Sequence, residues 1–174
     1  MNEVLKTIKT RRSVKKYNPN KEVPEELLDA VVEAGTYAPT GKNRMAPVII
    51  AVTNKKKRDK LAKLNAKILG TEIDTFYGAP VIISVISNRS ADTYLYDGSC
   101  VLENMMLAAH SLGLGACWIH RARQMYESEE GKEFLRELGI EGDYEGIGNL
   151  ALGYLEGDYP VTRPRKENYV HKVK

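Results

Sequence analysis

Apolar residues recur along this chain with two periods, and the alternation between the periods divides it into helices and strands. Within residues 2–10, Val4, Leu5 and Ile8 fall on one face of a short helix. A clearer helix opens at Pro24, whose fixed φ suits a first turn. Glu25 and Glu26 follow at the positive end of the helix dipole, and Leu27, Leu28, Val31, Val32 and Ala34 form one apolar face. "PVIIAVT" (47–53) reads as a buried strand. Asn54 can then cap a cationic helix that turns Leu61, Leu64 and Ile68 inward. "APVIISVI" (79–86) is a second buried strand. The strongest helical pattern is "SCVLENMMLAAHSL" (99–112), where Val101, Leu102, Met105, Met106, Ala109 and Leu112 repeat at helical spacing and Gly113 supplies a stop. Its stripe is wide enough for burial on more than one side. "ACWI" (116–119) reads as a third strand, residues 128–138 as a helix and "GNLALGYL" (148–155) as a fourth strand. From Gly157 onward, Pro160, Pro164 and polar residues predict an extended tail. This mixture predicts an α+β fold in three layers, as one domain over residues 1–174 with 157–174 as an extended basic tail.

Composition adds an asymmetry of charge. The 174 residues are 43% hydrophobic and 28% charged, enough for a sizeable core, and the net charge is only +3. Residues 1–24 hold seven Lys/Arg against two Glu, and residues 160–174 hold five against one. Two basic ends on an acidic body point to a local anion site more than to a broad nucleic-acid surface. The two cysteines, Cys100 and Cys117, form neither a disulfide framework nor a zinc motif, and both read as small buried hydrophobes. The first residues lack the apolar run of a secretory signal, and no stretch is long enough to span a bilayer. A reducing, cytoplasmic setting without membrane, metal or nucleic acid is the expectation.

Several chemistries are excluded by context. "GIGNLA" (146–151) matches GxGxxA, but a dinucleotide-binding turn follows a strand and opens a helix, whereas these glycines precede a strand. They read as a loop leading into it. His110, His120 and His171 have no acidic partner at metal-binding spacing, and no GxSxG elbow is present. His110 and His171 read as surface or satisfied structural residues. There remains "TRRSVKKY" (10–17), with Arg11, Arg12, Lys15 and Lys16 around Ser13. Alone it is consistent with a solvated helix end. As an anion site it offers guanidinium forks, an ammonium and a hydroxyl. "TRPRKE" in the tail offers a second set, Arg163 and Arg165, on one side of an extended segment.

"TRRSVKKY", "APTGKN", "APVIISV", "NMMLAAHSLGLGACWI" and the basic tail occur in an order that resembles the nitroreductase family of FMN-dependent oxidoreductases, from about Leu5 to Arg165. The resemblance implies a three-layer α/β/α sandwich and an intertwined homodimer with FMN at the interface. It places Arg11, Arg12, Ser13 and Lys15 on FMN: Arg11 and Ser13 at the phosphate, Lys15 near the N1/O2 edge of the flavin. Pro39, Thr40 and Gly41 would reach the flavin from the other subunit, and Asn43 follows at the family spacing. Trp118, Ile119, His120 and Arg121 match the strand end beside the ring, and Arg163 and Arg165 the cations that close on the phosphate. Tyr77 is read either as a pocket wall or as a packing residue.

The implied reaction passes hydride from NADH or NADPH through flavin N5 to an electron-poor acceptor such as a nitroaromatic or quinone, by ping-pong turnover and with no obligatory catalytic side chain. Where the family has x-Gln-Pro-Trp after the Asn, this chain has Arg44-Met45-Ala46-Pro47, without the Gln contact or the Trp. The chain is also short, so a substrate lid is missing or reduced. Competing readings are an FMN-dependent reductase of an enone, a halogenated aromatic or a flavin, an FMN-binding protein without turnover, and a protein using its basic ends as nucleic-acid arms.

Overall fold

A computed structural model describes residues 1–174. In chain order the elements are α1 (Glu3–Thr10), α2 (Glu25–Thr36), a 3₁₀ turn (Gly41–Asn43), β1 (Pro47–Val52), α3 (Lys55–Leu69), β2 (Val81–Asn88), α4 (Tyr94–Ser111), β3 (Gly115–Ile119), α5 (Ala122–Glu127), α6 (Glu129–Glu137) and β4 (Tyr144–Gly153). The strands form one antiparallel sheet in the order β1-β2-β4-β3.

Alternation along β2 explains the three layers. Val81, Ile83 and Val85 enter one buried cluster with Val31 of α2 and Val101, Leu102 and Met105 of α4. Ile82 and Ile86 point to the opposite cluster, with Leu61 of α3, Met125 of α5 and Phe134 of α6. Helices thus cover both faces, so β2 has no wet side and its sequence is continuously apolar. Each fully buried Ile or Leu in these clusters contributes roughly 1.5–3 kcal/mol of transfer free energy.

Three elements differ from their sequence expectations. The long helix starts at Tyr94, not Ser99, because its first turn buries Asp97 and Gly98 and exposes Leu95 and Tyr96, the reverse of the expected pattern. α5 was not expected, since "ARQMYE" is short and polar on its outer side; Ala122, Met125 and Tyr126 are nevertheless buried at helical spacing. β4 starts at Tyr144, so Gly146 and Gly148 lie inside the strand and not in a loop leading into it. Between them the register with β2 shifts, and Ile147 is the extra residue of a bulge. The glycines serve close packing. A Cβ on Gly146 would lie 2.2 Å from the Ala122 carbonyl oxygen, and one on Gly148 2.7 Å from both Leu102 Cδ1 and the Trp118 ring.

The N-terminal basic segment is docked along the free edge of β3. Ser13 pairs with Ala116 in parallel, Val14 N–H donates to the Ala116 carbonyl at 3.0 Å, and Tyr17 bridges Leu155. Val14 and Tyr17 are buried while Ser13, Lys15 and Lys16 face out. The Tyr17 hydroxyl is within donating reach of the Val14 and Ala151 carbonyls. Residues 157–174 form no helix or strand.

Gly146→Ala must move backbone, whereas Gly148→Ala needs only side-chain shifts. Urea unfolding should therefore show Gly146→Ala as the costlier change, at about 3 kcal/mol or more, with Gly148→Ala nearer 1–2 kcal/mol. Equal, small losses would show that the bulge tolerates a Cβ.

Candidate functional site

The cations of residues 10–17 are positioned by the end of α1 and by the pairing with β3. Arg11 is the C-cap of α1, and its N–H closes the last turn on the Thr7 carbonyl at 2.9 Å. Its Nε lies 4.0 Å from Glu103 on α4, at the limit of an ion pair. Its Nη1 is buried and has no hydrogen-bond partner. An unsatisfied buried donor of this kind is costly, and more so on a charged group. An oxyanion is one acceptor whose geometry matches such a donor. Ser13 and Lys15 lie outward on the next residues, in position to contribute a hydroxyl and an ammonium. Cys117 lies beneath them; burial pushes its thiol up, against the opposing pull of Lys15, Ser13 and Arg11.

The tail returns to this cluster. Lys16 pairs with Glu156 at 3.3 Å, and the Arg12 guanidinium donates to the Thr162 hydroxyl. At the end of α4, the His110 ring contacts the Thr10 hydroxyl at 2.8 Å and the Tyr159 hydroxyl at 2.7 Å. The two basic ends therefore converge in space. Arg163 and Arg165 are exposed next to these contacts, with Arg165 donating to the Arg163 carbonyl at 3.1 Å.

A second group forms at the other end of α4. Gly41 N–H donates to the buried Asp97 carboxylate at 3.0 Å, which also accepts from Thr93. The Thr40 hydroxyl accepts from Met45 N–H. A Cβ on Gly41 would meet Thr93 Oγ1 at 2.1 Å, so only glycine fits. Arg44 and Lys42 turn toward Asp92, at 3.7 and 3.4 Å. Thirteen residues separate Asp97 from His110 along α4, which sets this group about 20 Å from the basic cluster. Within one chain, Pro39, Thr40, Gly41 and Asn43 are not brought together with Arg11, Ser13 and Lys15.

Trp118, Ile119, His120 and Arg121 end β3 and share a cavity of about 350 Å³ with Tyr77 and Ile73. Tyr77 projects from a turn whose N–H groups at Phe76 and Gly78 donate to Asp74, itself held by the buried Arg58. Lys15 Nζ sits 5.7 Å from the Tyr77 ring centroid, linking this cavity to the basic cluster. Asn65 of α3, fully buried, joins the two cavity walls. Its amide N–H donates to the His120 carbonyl at 2.9 Å, and its carbonyl accepts from Thr75 at 2.8 Å and from Arg121 Nε at 3.1 Å. Five of the six non-glycine residues with left-handed φ lie in these loops: Lys42, Asn43, Met45, Tyr77 and Arg121. Backbone strain concentrates where loops are held for function. Asn65, Asp97 and Arg58 carried no expectation from sequence. A signal existed for Asn65, a polar residue inside the Leu61–Asn65–Ile68 helical stripe.

A family profile described as the nitroreductase family matches residues 8–74 and 70–154, most of the chain. The chain belongs to the nitroreductase family. Among its relatives, a Methanothermobacter thermautotrophicus protein assigned as an NADH dehydrogenase/NAD(P)H nitroreductase is 35% identical over 166 residues, 92% of this chain and 81% of the other. The crystal structure of a Bacteroides fragilis nitroreductase with bound FMN superposes with a TM-score of 0.91 at 31% identity, both chains covered in full. A Desulfitobacterium hafniense nitroreductase with bound FMN gives 0.87 at 29% identity, again with both chains covered in full. The three-layer sandwich expected from the sequence is the fold of this chain, with the Arg44-Met45-Ala46-Pro47 segment at the Asp92 ion pairs.

Asn65→Leu keeps the volume but leaves the His120 carbonyl and Thr75 hydroxyl unpaired. The free energy of urea unfolding should fall by about 1–3 kcal/mol; no change would show that other groups hold the two walls. Burial, then the Arg11 and Arg12 guanidiniums, hold the His110 pKa below the ordinary histidine value. The unfolded chain therefore takes up this proton first as pH falls, and stability is lost from about pH 6.5 downward until the lower folded value is passed. Unfolding at pH 7.5, 6.5 and 5.5 should show this loss in the wild type and a flatter profile in His110→Phe. Parallel profiles would remove His110 as its source.

Proposed function

We propose that the protein is an FMN-dependent NAD(P)H oxidoreductase acting as a homodimer, and that it reduces an electron-poor aromatic such as a nitroaromatic or quinone by ping-pong turnover. The observation that carries this reading is the buried, unpartnered Nη1 of Arg11 among converging cations. A phosphate monoester fits it, since the guanidinium fork matches phosphate oxygens and the neighbouring charges repel one another until an anion is present. The whole chain is read as one domain, with residues 157–174 as its basic tail.

Arg11 and Ser13, with Arg163 and Arg165 from the tail, hold the phosphate in this reading, and Arg12 anchors the tail beside it. Lys15 lies at the flavin edge and offsets the negative charge that reduction places there. The backbone of Trp118 to Arg121, held by Asn65, forms one wall of the ring site, and Tyr77 closes its side. When bound, FMN supplies the hydride chemistry, taking two electrons from NADH or NADPH and giving them to the acceptor. In this reading no side chain needs to act as an obligatory acid or base.

Two features of the isolated chain support the homodimer. The Pro39–Asn43 turn lies at the far end of α4 from the phosphate clamp, so if it contacts the flavin it does so from a second copy. In addition, α1 buries none of its residues, and Val4, Leu5 and Ile8 are about half exposed or more. An apolar helix face left open in this way is suited to a partner subunit. No helix is long and apolar enough to cross a membrane. The free Cys100 and Cys117 suit the reducing cytoplasm that the reading assigns.

The purified protein should be yellow and release FMN on denaturation. Arg11→Ala and Arg165→Ala should each weaken FMN binding about 10- to 100-fold, while Lys56→Ala, on the exposed side of α3, leaves it unchanged. Initial rates with NAD(P)H and a nitroaromatic should give parallel double-reciprocal lines. Colourless protein that takes up no added FMN ends this reading. Equal effects of the three substitutions end the phosphate assignment, and intersecting lines end the ping-pong scheme.

A further inference from the structure

We infer that His110 is a positioning residue that fastens the C-terminal tail over the N-terminal cations, so that Arg163 and Arg165 are held at the anion site before the anion arrives. Its anion-binding consequence rests on the function proposed above; the fastening itself does not.

His110 is the contact at which three parts of the chain meet. The ring stands in the last turn of α4, touches Thr10 at the end of α1 and touches Tyr159 in the tail. The hydrogen-bond directions are fixed by what Thr10 already does. The Thr10 hydroxyl donates its one proton to the Lys6 carbonyl at 2.8 Å, so toward His110 it can only accept. Nε2 therefore carries the ring proton, and Nδ1 is left as the acceptor for the Tyr159 hydroxyl. The neutral ring satisfies both partners, and its ring centroid lies 5.4 Å from that of Tyr159.

The tail has few other reasons to stay. Every residue from Gly157 to Lys174 is exposed and none lies in a helix or strand. The charges it carries, Arg163, Arg165 and Lys166, would be repelled by Arg11, Arg12, Lys15 and Lys16. Besides the Lys16–Glu156 pair at the tail's root, the contacts opposing this repulsion are His110–Tyr159 and the Arg12–Thr162 bond three residues on. The Thr162 contact is immediately followed by Arg163, so the two points set where the guanidiniums begin. Fixing these residues in advance lowers the ordering cost at binding. A neutral ring is the form suited to this task, because a protonated one would add a further positive charge to the cluster.

The test uses the full chain with and without FMN. Trypsin cleavage after Arg165 and Lys166, followed by mass spectrometry, reports tail attachment in the FMN-free protein. His110→Phe and Tyr159→Phe should each speed this cleavage, by up to about tenfold, and the double variant should be no faster than His110→Phe alone. In the same variants the Kd for FMN should rise by a similar factor, while turnover at saturating FMN changes far less. Tyr159 is at the surface, so its variant retains the fold even if His110→Phe does not. Unchanged cleavage, or strictly additive effects of the two substitutions, overturns the inference. Failure of the wild type to take up FMN would overturn the proposed function instead, and the cleavage result would still decide the fastening.

Discussion

The packing of α4 on the bulged stretch of β4 is the constraint on which the site depends. Gly98 lies against Ile147, where a Cβ would come within 2.6 Å, and Gly148 admits Leu102 from the next turn of the helix. This close approach fixes the axis of an 18-residue helix across the sheet. Its two ends then become fixed points. Asp97 at the first turn receives the Gly41 loop, and His110 at the last turn receives α1 and the tail. A larger residue at either of these two glycine contacts would lift the helix and displace both ends together. The same rigid length keeps the Gly41 loop and the basic cluster at opposite ends of one chain, the separation on which the proposed homodimer rests.

The loops between these ends are held by buried polar anchors more than by apolar packing. Asn65 fixes the His120 carbonyl, the Arg121 guanidinium and the Thr75 hydroxyl at once, and Arg58 fixes Asp74, which gathers two N–H groups of the Tyr77 turn. Such networks stabilise one arrangement because each alternative leaves a buried group unpaired. They also supply the free energy that holds Tyr77 and Arg121 at positive φ. Apolar contacts set the layers, and the polar anchors set the loop geometry.

This division explains what was legible in the sequence. β2 and the second half of α4 were plain because their periodicity records burial, as Val81 to Ile86 and Val101 to Ala109 show. The first turn of α4 was hidden because its buried positions hold Asp97 and Gly98, which carry no apolar signal. Gly146 and Gly148 were seen, but their role depends on Ala122 and Leu102, residues distant in sequence whose approach no local pattern encodes. The basic run and the basic tail were also seen. Their convergence was implied only by the family resemblance, because the contacts that make it pass through His110, Thr10 and Tyr159, each unremarkable in its own segment. Motif order gave the family resemblance that the residues singly did not, and the profile match over residues 8–154 agrees with it.

The basic cluster carries a cost that the fold accepts. Arg11, Arg12, Lys15 and Lys16 lie within six residues, the tail adds two guanidiniums, and one buried Arg11 donor has no acceptor. None of this stabilises the chain alone. The partial ion pair to Glu103 is long, and exposed pairs such as Lys16–Glu156 contribute only about 0–1 kcal/mol. A bound anion reverses the sign of each term: repulsion becomes attraction, and the orphaned donor gains its acceptor. Ligand binding then appears as folding stability, growing by about 1.4 kcal/mol for each tenfold excess of ligand over Kd. The anion of the proposed function would thus complete the α1, α4 and tail junction, and its affinity would follow from how incomplete that junction is without it.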